Sequence, residues 1–98
     1  MQVRDLPEQK RLIQLAEESA ELAKAALKLI RAMSGDTPVT ENEARANLIE
    51  EIADVETAVS VIISDKDRGN IDAIKDMKMM RWIMRINRGN GDGMAELL

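Results

Sequence analysis

The chain has 98 residues, 45% of them hydrophobic, a net charge of −4, and neither cysteine nor histidine. This length fits one domain with a thin core, and the composition is typical of a folded helical protein rather than a disordered chain. The missing residue types exclude disulfides, thiolate catalysis and zinc sites built on Cys or His, so any bound metal needs oxygen ligands.

The first predicted helix spans about residues 7–33. Asp5 and Glu8 have the spacing of a capping box at its start. Residues 34–39 predict a loop, because Gly35 can end the helix and a proline soon after prevents its continuation.

A second helix is predicted over about residues 41–64 and a third over about residues 71–87. Thr40 and Glu43 form a capping box for the second helix. Asn70 stands at the N-cap position of the third, after a break in the apolar pattern. The predicted fold class is therefore all-α, an antiparallel helical bundle of three main helices joined by short connections.

We expect a single domain over residues 1–98, with loose ends at residues 1–6 and 89–98. Three helices cannot cover all their apolar faces, so the bundle is expected to be completed by oligomerisation, as a dimer or tetramer. The positions that call for a partner lie off the main apolar stripes: Ile13, Leu27, Ile30, Ile49, Ile52, Val59, Ile63, Ile74, Met77, Met80 and Met84.

No apolar run approaches the roughly 18 residues that a transmembrane helix needs, so no membrane partner is expected. Residues 1–10 are too charged for a signal peptide, which favours a cytoplasmic location. The acidic charge balance argues against nucleic acid as a partner.

The chain carries one acidic motif twice, as EESAE at residues 17–21 and EEIAD at residues 50–54. On a helical wheel Glu18 and Glu51 lie in the middle of an apolar stripe, and the third acid of each motif lies about 60° away. The flanking residues match as well: Leu15, Leu22, Ala25 and Leu29 around the first motif, and Leu48, Val55, Ala58 and Ile62 around the second.

Carboxylates inside an apolar stripe are costly unless something compensates them, and a divalent cation does so. Two stripes packed antiparallel would bring the acids of both helices together, and oxygen ligands suit Mg²⁺ or Mn²⁺. The other interpretation is a solvated acidic face, because Glu is common on long helices. Glu17 and Glu50 lie beside the stripe, as salt-bridging surface residues or as residues that orient a water.

Gln14 and Asn47 occupy matched positions near the two motifs, where an amide can contact a base or ribose or can satisfy the carboxylates. Trp82 is the one aromatic residue, and it either stacks on a base or belongs to the core or an interface.

At the acidic motifs the chain resembles the MazG-like family of all-α nucleoside triphosphate pyrophosphohydrolases, whose signature is E-E-x-x-E on one helix and E-x-x-D on the next. The resemblance covers about residues 10–85, with alanine at residues 20 and 53 where the family often has glycine. It implies Mg²⁺, with Mn²⁺ as a substitute, held by four carboxylates. These ligands are Glu18, Glu21, Glu51 and Asp54.

The resemblance also implies hydrolysis of an NTP or dNTP substrate to the monophosphate and pyrophosphate. Lys78 and Arg81 match the family's basic K-x-x-R element, which contacts substrate phosphates. With no histidine in the chain, Glu17 and Glu21 are the candidates for the general base, unless the metal alone activates the water. Two alternatives stay open: a non-catalytic helical oligomerisation or adaptor module, and a relative that binds nucleotide without turnover.

Overall fold

A computed structural model describes residues 1–90, and within this range the chain is entirely helical, without a strand. The all-α prediction is thereby confirmed. The chain divides into two compact units, Met1–Ile62, here called the hairpin unit, and Ile63–Leu98, here called the α3 unit. The prediction of a single domain stays a prediction, and each unit is described by itself. The elements are a short 3-10 helix (Val3–Asp5), α1 (Glu8–Met33), α2 (Glu41–Ser60) and α3 (Asp65–Asn90).

The N-terminal segment differs from the sequence prediction. Asp5 does not cap α1, because its carboxylate Oδ2 accepts a hydrogen bond from the Gln2 N–H at 2.8 Å and closes the 3-10 turn. Pro7 holds the N-cap position of α1 without a side-chain hydrogen bond. Residues 1–6, expected to be loose, are held against α2, since Arg4 Nη2 donates to the Ser60 carbonyl oxygen at 2.5 Å.

The end of α1 follows the prediction. Gly35 has a φ of +73°, a left-handed conformation that glycine adopts without a steric penalty. The Gly35 N–H donates to the Ala32 carbonyl at 3.2 Å, and the Asp36 N–H donates to the Arg31 carbonyl at 3.0 Å. These two bonds form a Schellman motif, which satisfies carbonyls that the helix leaves unpaired.

The start of α2 is as predicted, but its end is not. The Thr40 hydroxyl oxygen accepts from the Glu43 N–H at 3.1 Å and caps the helix. The helix ends at Ser60 rather than near residue 64. Arginine side chains bind the carbonyl oxygens of Ser60 and Val61 there, so the chain can leave the helix without stranding these acceptors.

The third helix begins six residues earlier than about residue 71, at Asp65. Ser64 is its capping residue, because the Ser64 Oγ accepts from the Asp67 N–H and the Asp67 carboxylate accepts from the Ser64 N–H, both at 3.1 Å. The prediction that Asn70 caps this helix is wrong, since Asn70 and Gly69 lie inside it. The helix also passes the predicted end at residue 87. Residues 89 and 90, predicted to belong to a loose end, are the last residues of the helix. The rest of that predicted end, residues 91–98, lies outside the described residues.

The core of the hairpin unit is the seam between α1 and α2. Arg11 meets Val61 at one end of the seam, and Glu18 meets Glu51 and Asp54 further along it, so the helices run antiparallel. Alanines at the seam allow close approach, and Ala25 is only 1% exposed. The predicted stripes thus face each other: Ala25, Leu29 and Ala58 are buried, and Leu15, Leu22, Leu48, Val55 and Ile62 are half-buried.

Most apolar positions that the sequence placed off the stripes are exposed, with Ile49 the most exposed of the set at 63%. Val59 and Ile63 are half-buried instead. Oligomerisation stays a prediction. Among residues 1–90, no helix combines the length and hydropathy that crossing a bilayer requires.

Candidate metal centre

Three carboxylates converge on one side of the α1–α2 seam. Glu18 comes from α1, and Glu51 and Asp54 come from adjacent turns of α2. One oxygen of each lies within 4.8 Å of the other two. Glu18 and Glu51 are half-buried, whereas Asp54 is exposed. The antiparallel register and the i,i+3 spacing together produce this arrangement, here called the acidic cluster.

The cluster raises the pKa of the Glu51 carboxyl above its ordinary value. Partial loss of solvation is the largest cause, followed by the negative charges of Asp54 and Glu18, and then by those of Glu21 and Glu50. Without a cation, ionising Glu51 therefore works against the fold. A bound cation would reverse both causes, because it replaces lost hydration and offsets the like charges.

Gln14 supports the cluster from within α1. Its side-chain Nε2 donates to Glu18 Oε1 at 2.6 Å, one helical turn away. Of the two roles that the sequence left open for this amide, the structure displays the one in which it satisfies a carboxylate. Substrate contact by Gln14 stays a prediction, and Asn47 on α2 is half-buried.

Glu21, the fourth predicted ligand, is not part of the three-oxygen group. Its carboxylate lies 3.4 Å from Lys24 Nζ, and its side chain is 53% exposed. Glu21 is nevertheless near enough for its charge to raise the pKa of Glu51. The structure thus brings together three of the four predicted ligands and leaves the fourth beside them in an exposed ion pair.

Glu17, the other candidate base, is not one of the three grouped carboxylates. It is exposed and lines a groove with Lys10 and Ile13. Gln14 and Val61 line this groove as well as the one beside Glu18 and Asp54, so the two grooves adjoin. A role for Glu17 stays a prediction.

A small groove of about 210 Å³ runs beside Glu18 and Asp54 in the hairpin unit. Buried Ala58 lines it, and its small side chain leaves room for the groove. Val3 and Thr57 also line it, and neither was predicted from the sequence. Val3 comes from a segment expected to be loose, and Thr57 donates its hydroxyl hydrogen to the Ala53 carbonyl at 2.8 Å. Neither residue carries a local signal that would have placed it there.

Lys78 and Arg81 belong to the α3 unit, where both are exposed. They line an open groove along α3 together with Trp82 and other residues of the same helix. Their action on a substrate stays a prediction.

The donor set of the acidic cluster consists of carboxylate oxygens alone, which is the ligand chemistry of hard cations such as Mg²⁺ and Mn²⁺. Fold and site together define an all-α chain with a candidate divalent-cation centre on a helical hairpin. No protein-family model, curated protein or solved structure matches this chain. The MazG-like resemblance therefore depends on the doubled acidic motif and on its position within the apolar stripes of α1 and α2.

Proposed function

We propose that this protein is a Mg²⁺-dependent nucleoside triphosphate pyrophosphohydrolase of the MazG-like kind, which converts an NTP or dNTP to the monophosphate and pyrophosphate. The observation that carries the proposal is the convergence of Glu18 with Glu51 and Asp54 from a second helix. A solvated acidic face does not require half-buried carboxylates on two helices to meet, whereas a cation site does.

Three carboxylates hold the cation in this proposal, and Glu21 becomes the fourth ligand by leaving its exposed pair with Lys24. Gln14 fixes one oxygen of Glu18 through its amide, which orients the remaining oxygen. When bound, Mg²⁺ neutralises phosphate charge and the charge that develops during phosphoryl transfer.

The substrate's phosphates would be held by the exposed cations Lys78 and Arg81. Water supplies the oxygen that forms the new bond to phosphorus, a phosphoanhydride P–O bond breaks, and pyrophosphate leaves. A carboxylate takes the proton of that water because the chain has no histidine. Of the two candidates we favour Glu21, because its charge is among the causes of the raised pKa of Glu51 and that of Glu17 is not.

Oligomerisation, as a dimer or tetramer, belongs to the same proposal. Large apolar side chains stay exposed on both units, Leu27 and Ile30 on α1 and Met77 and Met80 on α3 among them. Packing against further copies would complete the thin bundle.

Pyrophosphate release from a panel of NTPs and dNTPs tests the proposal, with Mg²⁺, with Mn²⁺ and with EDTA. We expect wild-type turnover on at least one nucleotide, abolished by EDTA. Glu51→Gln should lower kcat by on the order of 100-fold, the scale of losing one electrostatic stabiliser of a transition state. Glu56→Gln is the matched control, because it removes the same charge from an exposed position of α2.

No turnover by the wild type on any nucleotide would refute the enzyme assignment, and equal turnover by Glu51→Gln would refute the metal role. The exposed apolar positions favour one second candidate, a non-catalytic oligomerisation or adaptor module. That candidate predicts an oligomer without turnover. A relative that binds nucleotide without turnover would instead show a nucleotide-dependent rise in Tm and no pyrophosphate.

A further inference from the structure

The net charge of −4 conceals a strong separation of charge along the chain. The hairpin unit has seven cationic and twelve acidic residues, whereas residues 74–90 have five cationic residues and a single acid, Asp76. These cations recur every three or four residues, so they share one broad side of α3. They are Lys75, Lys78, Arg81, Arg85 and Arg88.

Four of the cations line an open groove along α3. None of the four has an ion pair or side-chain hydrogen bond to any of residues 1–90, whereas Arg68 on the same helix pairs with Asp72 at 3.4 Å. Trp82 lies in the same groove and is 56% exposed, an unusual state for a tryptophan. We call this surface the cationic groove, which is lined by Lys75, Lys78, Met79, Arg81, Trp82 and Arg85.

The extent of the groove favours a polymeric anion. From Lys75 to Arg85 the helix advances about 15 Å at its usual rise. A nucleoside triphosphate concentrates its charge on three adjacent phosphates and meets only part of this row. A chain of phosphates can follow all of it.

The exposed indole decides which polymer fits. A duplex hides its base faces, but the unpaired bases of a single strand can stack on an aromatic ring while cations track the backbone. A membrane surface fits less well, because α3 has exposed apolar side chains on more than one side. Trp82 lies among the cations, about 20° around the helix from Lys75, whereas Met80 and Met84 lie about 140–180° from Lys75. An in-plane helix would need its apolar residues on one side.

We propose that the cationic groove of α3 binds single-stranded nucleic acid, with a base stacked on Trp82 and phosphates along Lys75, Lys78, Arg81 and Arg85. This interaction goes beyond the proposed hydrolase activity and does not involve the acidic cluster. It shares Lys78 and Arg81 with the proposed nucleotide site, so the two ligands would compete for these cations. It revises the expectation of no nucleic-acid partner, because net charge misses a basic surface confined to half of one helix.

The chain contains its own reporter of binding, since Trp82 is the single aromatic residue and all intrinsic tryptophan fluorescence comes from the groove. We would titrate the 98-residue chain with oligo(dT) in EDTA, which keeps the acidic cluster free of metal. We expect a saturable change in fluorescence. The logarithm of the binding constant should fall with the logarithm of salt concentration with a slope of about −3, as four phosphate contacts to a single strand require.

Variants outside the proposed hydrolase site separate the contribution of the cations from that of the Trp82 indole. Lys75→Gln combined with Arg85→Gln should reduce the steepness of the salt slope by about 1.4. Trp82→Leu should weaken binding of a labelled oligonucleotide, followed by anisotropy, by roughly tenfold through lost stacking. Lys28→Gln combined with Arg31→Gln is the matched control, because it removes two exposed cations from α1 and should leave the slope unchanged.

Far-UV circular dichroism of each variant establishes that α3 is intact, so lost binding is assigned to the side chains. No binding at low salt overturns the proposal. So does equal affinity for a duplex of the same length, for polyglutamate or for anionic vesicles. Displacement of oligo(dT) by an equimolar concentration of dTTP would assign the groove to a mononucleotide. Pyrophosphate release is measured in a separate assay, so the failure of one proposal does not decide the other.

Discussion

The hairpin unit and the α3 unit carry their candidate functions in different ways. In the hairpin unit, Glu18 and Glu51 lie 33 residues apart in sequence, and only the antiparallel packing of α1 on α2 brings them together. In the α3 unit, every residue of the cationic groove lies on one helix, so helical periodicity suffices to assemble it. The acidic cluster is thus as stable as the α1–α2 seam, whereas the cationic groove needs only an intact helix.

The largest expected effect tests the dependence of the hairpin on its seam. Leu29→Ala removes a side chain that is 7% exposed, so it should lower the free energy of unfolding by about 2–5 kcal/mol, as leaving a cavity does. Met80→Ala is the matched truncation on exposed α3, and it should cost under about 0.5 kcal/mol. Urea denaturation followed by circular dichroism measures both. Equal costs would contradict the comparison.

An intermediate effect is expected where the N-terminal segment meets the end of α2. Arg11 Nε donates to the Leu6 carbonyl at 3.0 Å, and its Nη1 donates to the Val61 carbonyl at 2.7 Å. Arg11→Met keeps the aliphatic stem but loses both hydrogen bonds, so the free energy of unfolding should fall by about 1–3 kcal/mol. Lys10→Met removes a charge from the exposed neighbouring position. If both variants melt alike, Arg11 is not what holds these carbonyls.

The smallest effect tests the repulsion between the negative charges of the acidic cluster. The pKa of Glu51 is higher in the folded protein than in the unfolded chain. Ionisation of Glu51 therefore destabilises the folded protein as pH rises through the folded pKa, and this destabilisation is absent below the unfolded pKa. In EDTA, Glu51→Gln should therefore have a higher Tm than wild type near neutral pH. This gain should shrink as the medium becomes acidic.

Adding Mg²⁺ should reverse the order of Tm, since a cation that binds the folded wild type stabilises it and the variant lacks a ligand. Glu56→Gln serves again as the control, with a Tm close to wild type at each pH. A Glu51→Gln protein less stable than wild type in EDTA at neutral pH would contradict the like-charge description of the cluster.

Local signals in the sequence placed much of the fold correctly. The Thr40 cap, the left-handed Gly35 and the apolar stripe around Glu18 all appear as predicted, because each depends on residues within a turn or two of one another. The α3 start lies before the predicted one, because the charged residues and glycine at 65–69 have the composition of a break but belong to the helix. Ser64 and Asp67 form the stronger capping signal, and Gly69 inside the helix costs only about 1 kcal/mol.

By itself the sequence determined that the chain is helical, that two helices carry matched acids within apolar stripes, and that one side of α3 is basic. All three are periodicities that a helix of 3.6 residues per turn converts directly into faces. Tertiary structure alone decided which acids meet, since the α1–α2 register brings Glu18 to Glu51 and Asp54 while Glu21 pairs with Lys24. It also decided where α2 ends, because arginines distant in sequence bind the carbonyls there. Such contacts depend on the register between elements, which no local pattern encodes.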